Sequence, residues 1–347
     1  MASVNTSKTN GKRRHSQVDG AEEQPTNRQI PGYPFDSSDA DCILRSSNDV
    51  DFRVHTLILS LASPFFRTMF SLPKGAAARS IQEVNDGLPI VPVSENGRTL
   101  HILLSFCYPV PPPIVKQFRD LTLAYEAAEK YEMDRMLPHI ADALVDKASQ
   151  DVVAAYAFGY RHRLTDLVIT AAKITLQNPL SDLGRSPELD LITGTQLQHL
   201  HAFHRLCREK AVGLADDWAW VKAISAIPLA SDTKNCDCQI IITIHDVKPI
   251  YGTTSTFEEH EEDKQEFYAP EWWYDYMDKA KEALKHRPLG STVTDLSFCA
   301  STFGAASKCD EPDCAEGVQL MHEFIELFAQ EIDQAVGDAA RGVFHLE

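Results

Sequence analysis

The stretch from Ala40 to Leu72 constrains this chain most, because two short apolar segments flank a tight polar turn and a Ser-Pro pair follows them. Ala40-Asp41-Cys42-Ile43-Leu44-Arg45 predicts a strand, and Ser46-Ser47-Asn48-Asp49 a hairpin-like turn. In Asp51-Phe52-Arg53-Val54-His55, Phe52 and Val54 alternate with polar neighbours, as on a half-buried strand. Thr56–Ala62 is mostly apolar and compact and predicts a buried helix. Ser63 then offers an N-cap and Pro64 a first helical residue, with Phe65, Phe66, Met69 and Phe70 on one face. Ile90-Val91-Pro92-Val93 predicts a third short strand, which its proline places at an edge. So small a sheet cannot bury itself, and helices must cover it.

Helical periodicity supplies that cover. Leu100, Leu103, Leu104 and Cys107 fall at helical spacing, as do Leu121, Ala124, Ala128 and Tyr131. Leu137, Ile140, Ala141, Leu144 and Ala148 form another stripe, and Leu164, Leu167, Val168, Ala171 and Ala172 a further one. A helix carrying Leu197, Leu200, Phe203, His204 and Cys207 follows. Within 230–270 the helical pattern breaks: Gln239–Ile244 predicts a strand and Glu258–Glu266 an exposed acidic loop. Helices return over Glu271–Arg287, Val293–Ala306 and Glu316–Gly337.

The run from Ala40 to Leu72 resembles the BTB/POZ domain. Asp41 on the first strand, Phe52-x-Val54-His55 on the second, Leu57 and Leu59 after it, and Ser63-x-Phe65-Phe66-x-x-Met69-Phe70 carry the resemblance, together with Leu103-Leu104-x-x-x-Cys107-Tyr108. The whole chain is similar to the BTB proteins abundant in mushroom-forming (basidiomycete) fungi. The resemblance implies an α+β fold over 33–149, a small sheet covered by helices, after a disordered tail at 1–32. A helical extension is expected over 150–229, and an acidic, mostly helical module with cysteine pairs over 230–347. It also implies a non-catalytic protein–protein interaction role, as scaffold or adaptor, with a cullin ubiquitin ligase or another BTB chain as partner. The cullin-facing pattern is an apolar residue, any residue, then Glu, and Ile81-Gln82-Glu83 has that form before the third strand. His55 is expected to hydrogen-bond a neighbouring carboxylate or carbonyl, with Asp41 as the candidate acceptor; a catalytic or metal-ligating Asp–His pair is the alternative. The family's swapped dimer uses an amphipathic helix and strand upstream. Gln24–Arg28 and Pro31-Gly32-Tyr33-Pro34 are too polar and proline-rich to form them, so the oligomeric state stays open.

Charge narrows the partner class. The chain carries 33 basic and 50 acidic residues, for a net charge of −17, of which −15 lies in residues 230–347. Such a surface repels phosphate, so no nucleic-acid partner is expected there. No apolar stretch approaches the roughly 18 residues of a membrane span, so none is expected. The N-terminal residues lack the apolar segment of a secretory signal, so an intracellular location is expected, in cytoplasm or nucleus. Lys12-Arg13-Arg14-His15 fits a nuclear import patch or a plain solvated basic run.

Cys236-Asp237-Cys238 and Cys309-x-x-x-x-Cys314 present four thiols, a set suited to a closed structural zinc site. The first pair can chelate only from a turn, since a strand would point its side chains oppositely. Ordinary reduced thiols are the alternative. His199, His201, His204 and Cys207 resemble ligands, yet only some share a helical face, so a polar face is the competing interpretation. Trp272-Trp273-Tyr274-x-Tyr276-Met277 predicts core packing, with Trp272 and Tyr276 as an alternative partner anchor. Val318, Met321, Ile325, Phe328, Ile332 and Ala335 predict an amphipathic helix or a short coiled-coil seam. No phosphate-binding glycine loop or nucleophile elbow occurs, and no catalytic or cofactor-binding residue is assigned. A metal-dependent enzyme built on the Cys and His clusters, or a BTB-type transcription regulator, are the alternative functions.

Overall fold

The computed structural model describes residues 30–72, 83–111, 113–180, 187–218, 220–221, 227–228, 230–231, 234–245, 264–309 and 312–344, excepting the side chains of 188, 243–245, 264–265 and 312–316. The expected tail at 1–32 lies almost wholly outside them.

Alternation of apolar and polar residues produces the first hairpin. Strands β1 (Cys42–Arg45) and β2 (Asp51–Val54) pair antiparallel, with Arg45 opposite Asp51. The helices α1 (Thr56–Ala62) and α2 (Pro64–Ser71) follow as expected. A second hairpin, β3 (Val84–Asn85) and β4 (Leu88–Pro92), turns through Asp86 and Gly87, both at positive φ, the conformation that favours an Asp-Gly pair. The sheet order is β2-β1-β4-β3, with β4 parallel to β1.

That order corrects the expected edge position of the third strand. β4 is internal, and β3, too short to signal itself in sequence, is the edge. Pro92 is tolerated because alternate residues donate to opposite sides. Ile90 donates to the Glu83 carbonyl and Val93 to the Arg45 carbonyl, so the donor missing at Pro92 would have faced away from β1.

Helix α3 (Gly97–Cys107) is capped by the Asn96 side chain, which accepts from Thr99 N at 2.9 Å. The Asn48 carboxamide in the β1–β2 turn accepts from Gly97 N at 2.7 Å, and a side chain at 97 would collide with Val50. The hairpin tip therefore docks on the start of α3. Helices α4 (Phe118–Lys130), α5 (Leu137–Lys147), α6 (Val152–Arg161) and α7 (Thr165–Thr175) stack onward, each burying its apolar stripe. Next comes α8 (Gly194–Asp216), opened by a Thr193–Gln196 capping box.

Beyond residue 230, strands β5 (Gln239–His245) and β6 (Lys264–Pro270) form a separate antiparallel hairpin. β6 corrects the acidic-loop expectation for its last residues: Phe267 and Ala269 face inward, a two-residue signal hidden behind the acidic run. Helices α9 (Glu271–His286), α10 (Gly290–Val293), α11 (Leu296–Ala306) and α12 (Pro312–Val343) complete the chain. The single helix expected over Val293–Ala306 is broken because the Asp295 carboxylate accepts from Ser297 N and Phe298 N, starting α11 afresh.

Packing does not stop at residue 230. Helix α8 packs on α9 and α12, and α12 also reaches α7. Trp273 and Tyr276 are fully buried and Trp272 nearly so, which removes the partner-anchor alternative. Met321, Phe324, Ile325, Phe328 and Ile332 are buried against the chain's own helices, so α12 is an intramolecular amphipathic helix. Phe344 packs its ring against Tyr156 (6.2 Å between centroids) and Phe203 (5.2 Å).

The histidines of α8 face different neighbours. His204 Nε2 lies 2.8 Å from Thr175 Oγ1 on α7, and His199 Nδ1 lies 2.9 Å from the Tyr160 hydroxyl on α6. Cys207 is buried in the core. Desolvation, with smaller contributions from His201 and Arg208, lowers the His204 imidazole from its ordinary 6.5 to about 4. Between these values the unfolded chain binds more protons than the folded one, so stability present above pH 6.5 is lost as pH falls toward 4. We expect the urea midpoint to drop between pH 7 and pH 5, and the drop to shrink in His204→Gln. An identical pH dependence in that variant would exclude His204 as its source.

Candidate interaction surface and thiol cluster

The junction between β2 and α1 is held by groups that the sequence places close together. The Asp41 carboxylate accepts from Thr56 N at 2.7 Å and from Thr56 Oγ1 at 2.6 Å, so the residue just before β1 caps α1. This corrects the expected Asp41–His55 contact. The His55 ring instead lies between Asp39, 3.2 Å from Nε2, and the Tyr108 hydroxyl, 3.2 Å from Nδ1. His55 N also donates to that hydroxyl at 2.9 Å. Hydrogen bonds from Ser37 and then His55 hold the Asp39 carboxyl below its usual range, while burial pushes the Tyr108 phenol up to about 12. Nothing in the sequence favoured Asp39 over Asp41 as the partner of His55.

A buried ion pair underlies the sheet. Arg45 binds Asp51 bidentately, Nε to Oδ1 at 2.7 Å and Nη2 to Oδ2 at 3.0 Å, with both side chains almost wholly buried. Glu83 binds the remaining Nη1 from the strand-leading segment of the second hairpin. The hydrogen bond to Asp51 dominates and raises the guanidinium pKa further above its already high value. Opposite charges directly across a hairpin were a legible signal that the alternation pattern had overshadowed.

Of the proposed cullin-facing residues, Glu83 therefore occupies a built position, with its side chain 59% exposed beyond the Arg45 contact. Ile81 and Gln82 lie outside the described residues. Phe52, Ser63, Phe66 and Tyr108 are buried, and Met69 and Phe70 half-buried. Phe66 stacks on Tyr131, and the Ser63 hydroxyl accepts from Phe66 N at 3.0 Å while donating to the Tyr131 carbonyl.

Helix α1 is not the buried helix expected from its composition. Only Leu59 is fully covered, whereas Leu57 is 69% and Leu61 71% exposed. These two leucines are four residues apart and share one outward face. Phe65 on α2 is 38% exposed. Exposed leucines that recur at helical spacing mark a contact surface better than isolated ones.

The second cluster lies at the start of β5. Cys236, Cys238 and Cys309 bring their sulfurs within 4.8 Å of one another, the only such group of His, Cys, Asp or Glu donors among the described residues. Cys236 and Cys238 sit in a turn closed by Gln239 N donating to the Cys236 carbonyl, which is the geometry a chelating pair needs. Cys314 lies in the first turn of α12, and its side chain is outside the described residues. The His199–Cys207 set does not converge, as its members face α6, α7 and the core.

A small sheet under helices, with an apolar outward helix face, defines a protein-interaction module. The family model for the BTB/POZ domain matches residues 35–148, and this part of the chain is a BTB/POZ domain, a protein-interaction domain. It covers about a third of the sequence. No curated protein matches the chain. No helix among the described residues is long and apolar enough to cross a membrane.

The Arg45–Asp51 pair makes a direct prediction. Asp51→Ala leaves a buried guanidinium with only Glu83, and should cost about 3–5 kcal/mol in urea unfolding. A loss below about 1 kcal/mol would show that Glu83 alone satisfies Arg45.

Proposed function

We propose that this protein is a non-catalytic scaffold or adaptor whose BTB/POZ domain holds a second protein on its α1–α2 face. The observation that carries this is the outward pair Leu57 and Leu61, set on a helix anchored at both ends by Asp41 and Ser63. A pre-ordered face binds without the entropy of assembling itself. Two finer interpretations follow from the family. Another BTB chain would cover the leucines. A cullin would engage the segment ending at Glu83, whose carboxylate Arg45 orients while leaving it accessible.

The two are separable. Leu57→Asp with Leu61→Asp is expected to abolish self-association measured by light scattering on a sizing column, while the thermal midpoint stays unchanged. A purely monomeric wild type would remove the BTB–BTB interpretation. Cullin recovery in pull-downs, quantified by mass spectrometry, is expected to fall in Glu83→Ala. Unchanged recovery, or no cullin with either protein, would remove the cullin interpretation. An unaltered interactome in both sets of variants would sink the scaffold proposal for this face.

A further inference from the structure

Of the seven described cysteines, Cys107 is half-buried on α3, where its thiol bonds to the Leu103 carbonyl, and the other six form two groups. Cys42, Cys207 and Cys299 are fully buried, and behave as small apolar side chains. Cys236, Cys238 and Cys309 are only half-buried, and come from segments 73 residues apart to meet at one point. Apolar packing does not account for three sulfurs gathered at a partly exposed junction of a turn and a helix end.

Their spacing fits a shared ion. Tetrahedral zinc at about 2.3 Å from each sulfur places the sulfurs about 3.8 Å apart. The Cys236 and Cys309 sulfurs are 3.3 Å apart, and all three lie within 4.8 Å, values that bracket the requirement. A disulfide would use two sulfurs at about 2.05 Å and leave the third unexplained.

The surrounding backbone holds the sulfurs in place. Cys238 N points at the Cys236 sulfur, 3.4 Å away. The turn is held in advance. The buried Gln239 side chain accepts from Asn235 N at 2.7 Å and Cys236 N at 3.1 Å, while Glu271 N donates to the Cys238 carbonyl at 2.8 Å. The chelating turn is thus tied to both the β5–β6 hairpin and the start of α9.

We propose that Cys236, Cys238 and Cys309 bind one structural zinc ion as thiolates. The ion replaces the thiol protons, which leave to solvent, and no oxidation occurs. It fastens the start of the β5–β6 hairpin to the segment after α11, in a part of the chain with a large excess of negative charge.

The test uses the full chain purified without a metal-chelating tag. Elemental mass spectrometry should find about one zinc per chain, and cobalt exchange should produce sulfur-to-cobalt charge transfer in the near ultraviolet. Cys309→Ser should lower zinc content at least about tenfold, whereas Cys309→His, which keeps a ligand, should retain it. Cys107→Ser, far from the cluster, should change nothing. Should the serine variant be insoluble, metal retention and an altered cobalt spectrum in Cys309→His still decide the matter. A folded wild-type protein with no zinc and no cobalt charge transfer would overturn the proposal. So would an intact mass showing a Cys236–Cys309 disulfide, or equal zinc in wild type and soluble Cys309→Ser.

Discussion

Ser63 does three things at once, and the interaction domain is assembled around them. It ends α1, its N–H bonding back to the Leu59 carbonyl. It caps α2 through its hydroxyl oxygen. It also donates that hydroxyl to the Tyr131 carbonyl at the end of α4. A fully buried hydroxyl must satisfy its donor and acceptor capacity locally, and here both are used to join successive helices. Phe66 then stacks on Tyr131, so the polar joint is closed by apolar contact. The outward leucines of α1 owe their fixed position to this joint at one end and to the Asp41 cap at the other.

The strand–turn–strand–capped-helix order was legible because each step carries a local signal: alternation, a polar turn, an N-cap with proline after it. What sequence could not show were the choices between equivalent partners. Asp39 and Asp41 both lie near His55, and only three-dimensional placement gives one to the imidazole and the other to Thr56. Pro92 marks an edge only if its missing donor faces a neighbouring strand, and a two-residue β3 gave no pattern from which to tell. Composition made α1 look buried, yet a seven-residue helix on a small sheet has one covered side and one open side. β6 was hidden because its inward residues number two and follow an acidic run.

The thiol cluster was partly legible. The residue types and spacing singled out three cysteines that meet in space, and a turn at Cys236–Cys238 was a condition that geometry had to satisfy. Cys236–Gln239 meets it through a backbone turn that no composition argument reaches. The histidines of α8 show the converse case. Their spacing looked ligand-like, but the His199 and His204 rings are committed to different neighbouring helices, and desolvation lowers the His204 imidazole pKa.

Phe344 has a consequence for how the molecule is made. Its ring covers Tyr156 and Phe203, which precede it by 188 and 141 positions. Residues 35–148 can complete their sheet from segments already emerged, because all four of its strands lie before residue 93. The aromatic surface of α6 and α8 stays uncovered on the ribosome until α12 has been synthesised. Over that interval the growing polypeptide displays apolar area that chaperones can bind, while residues 35–148 are already in shape.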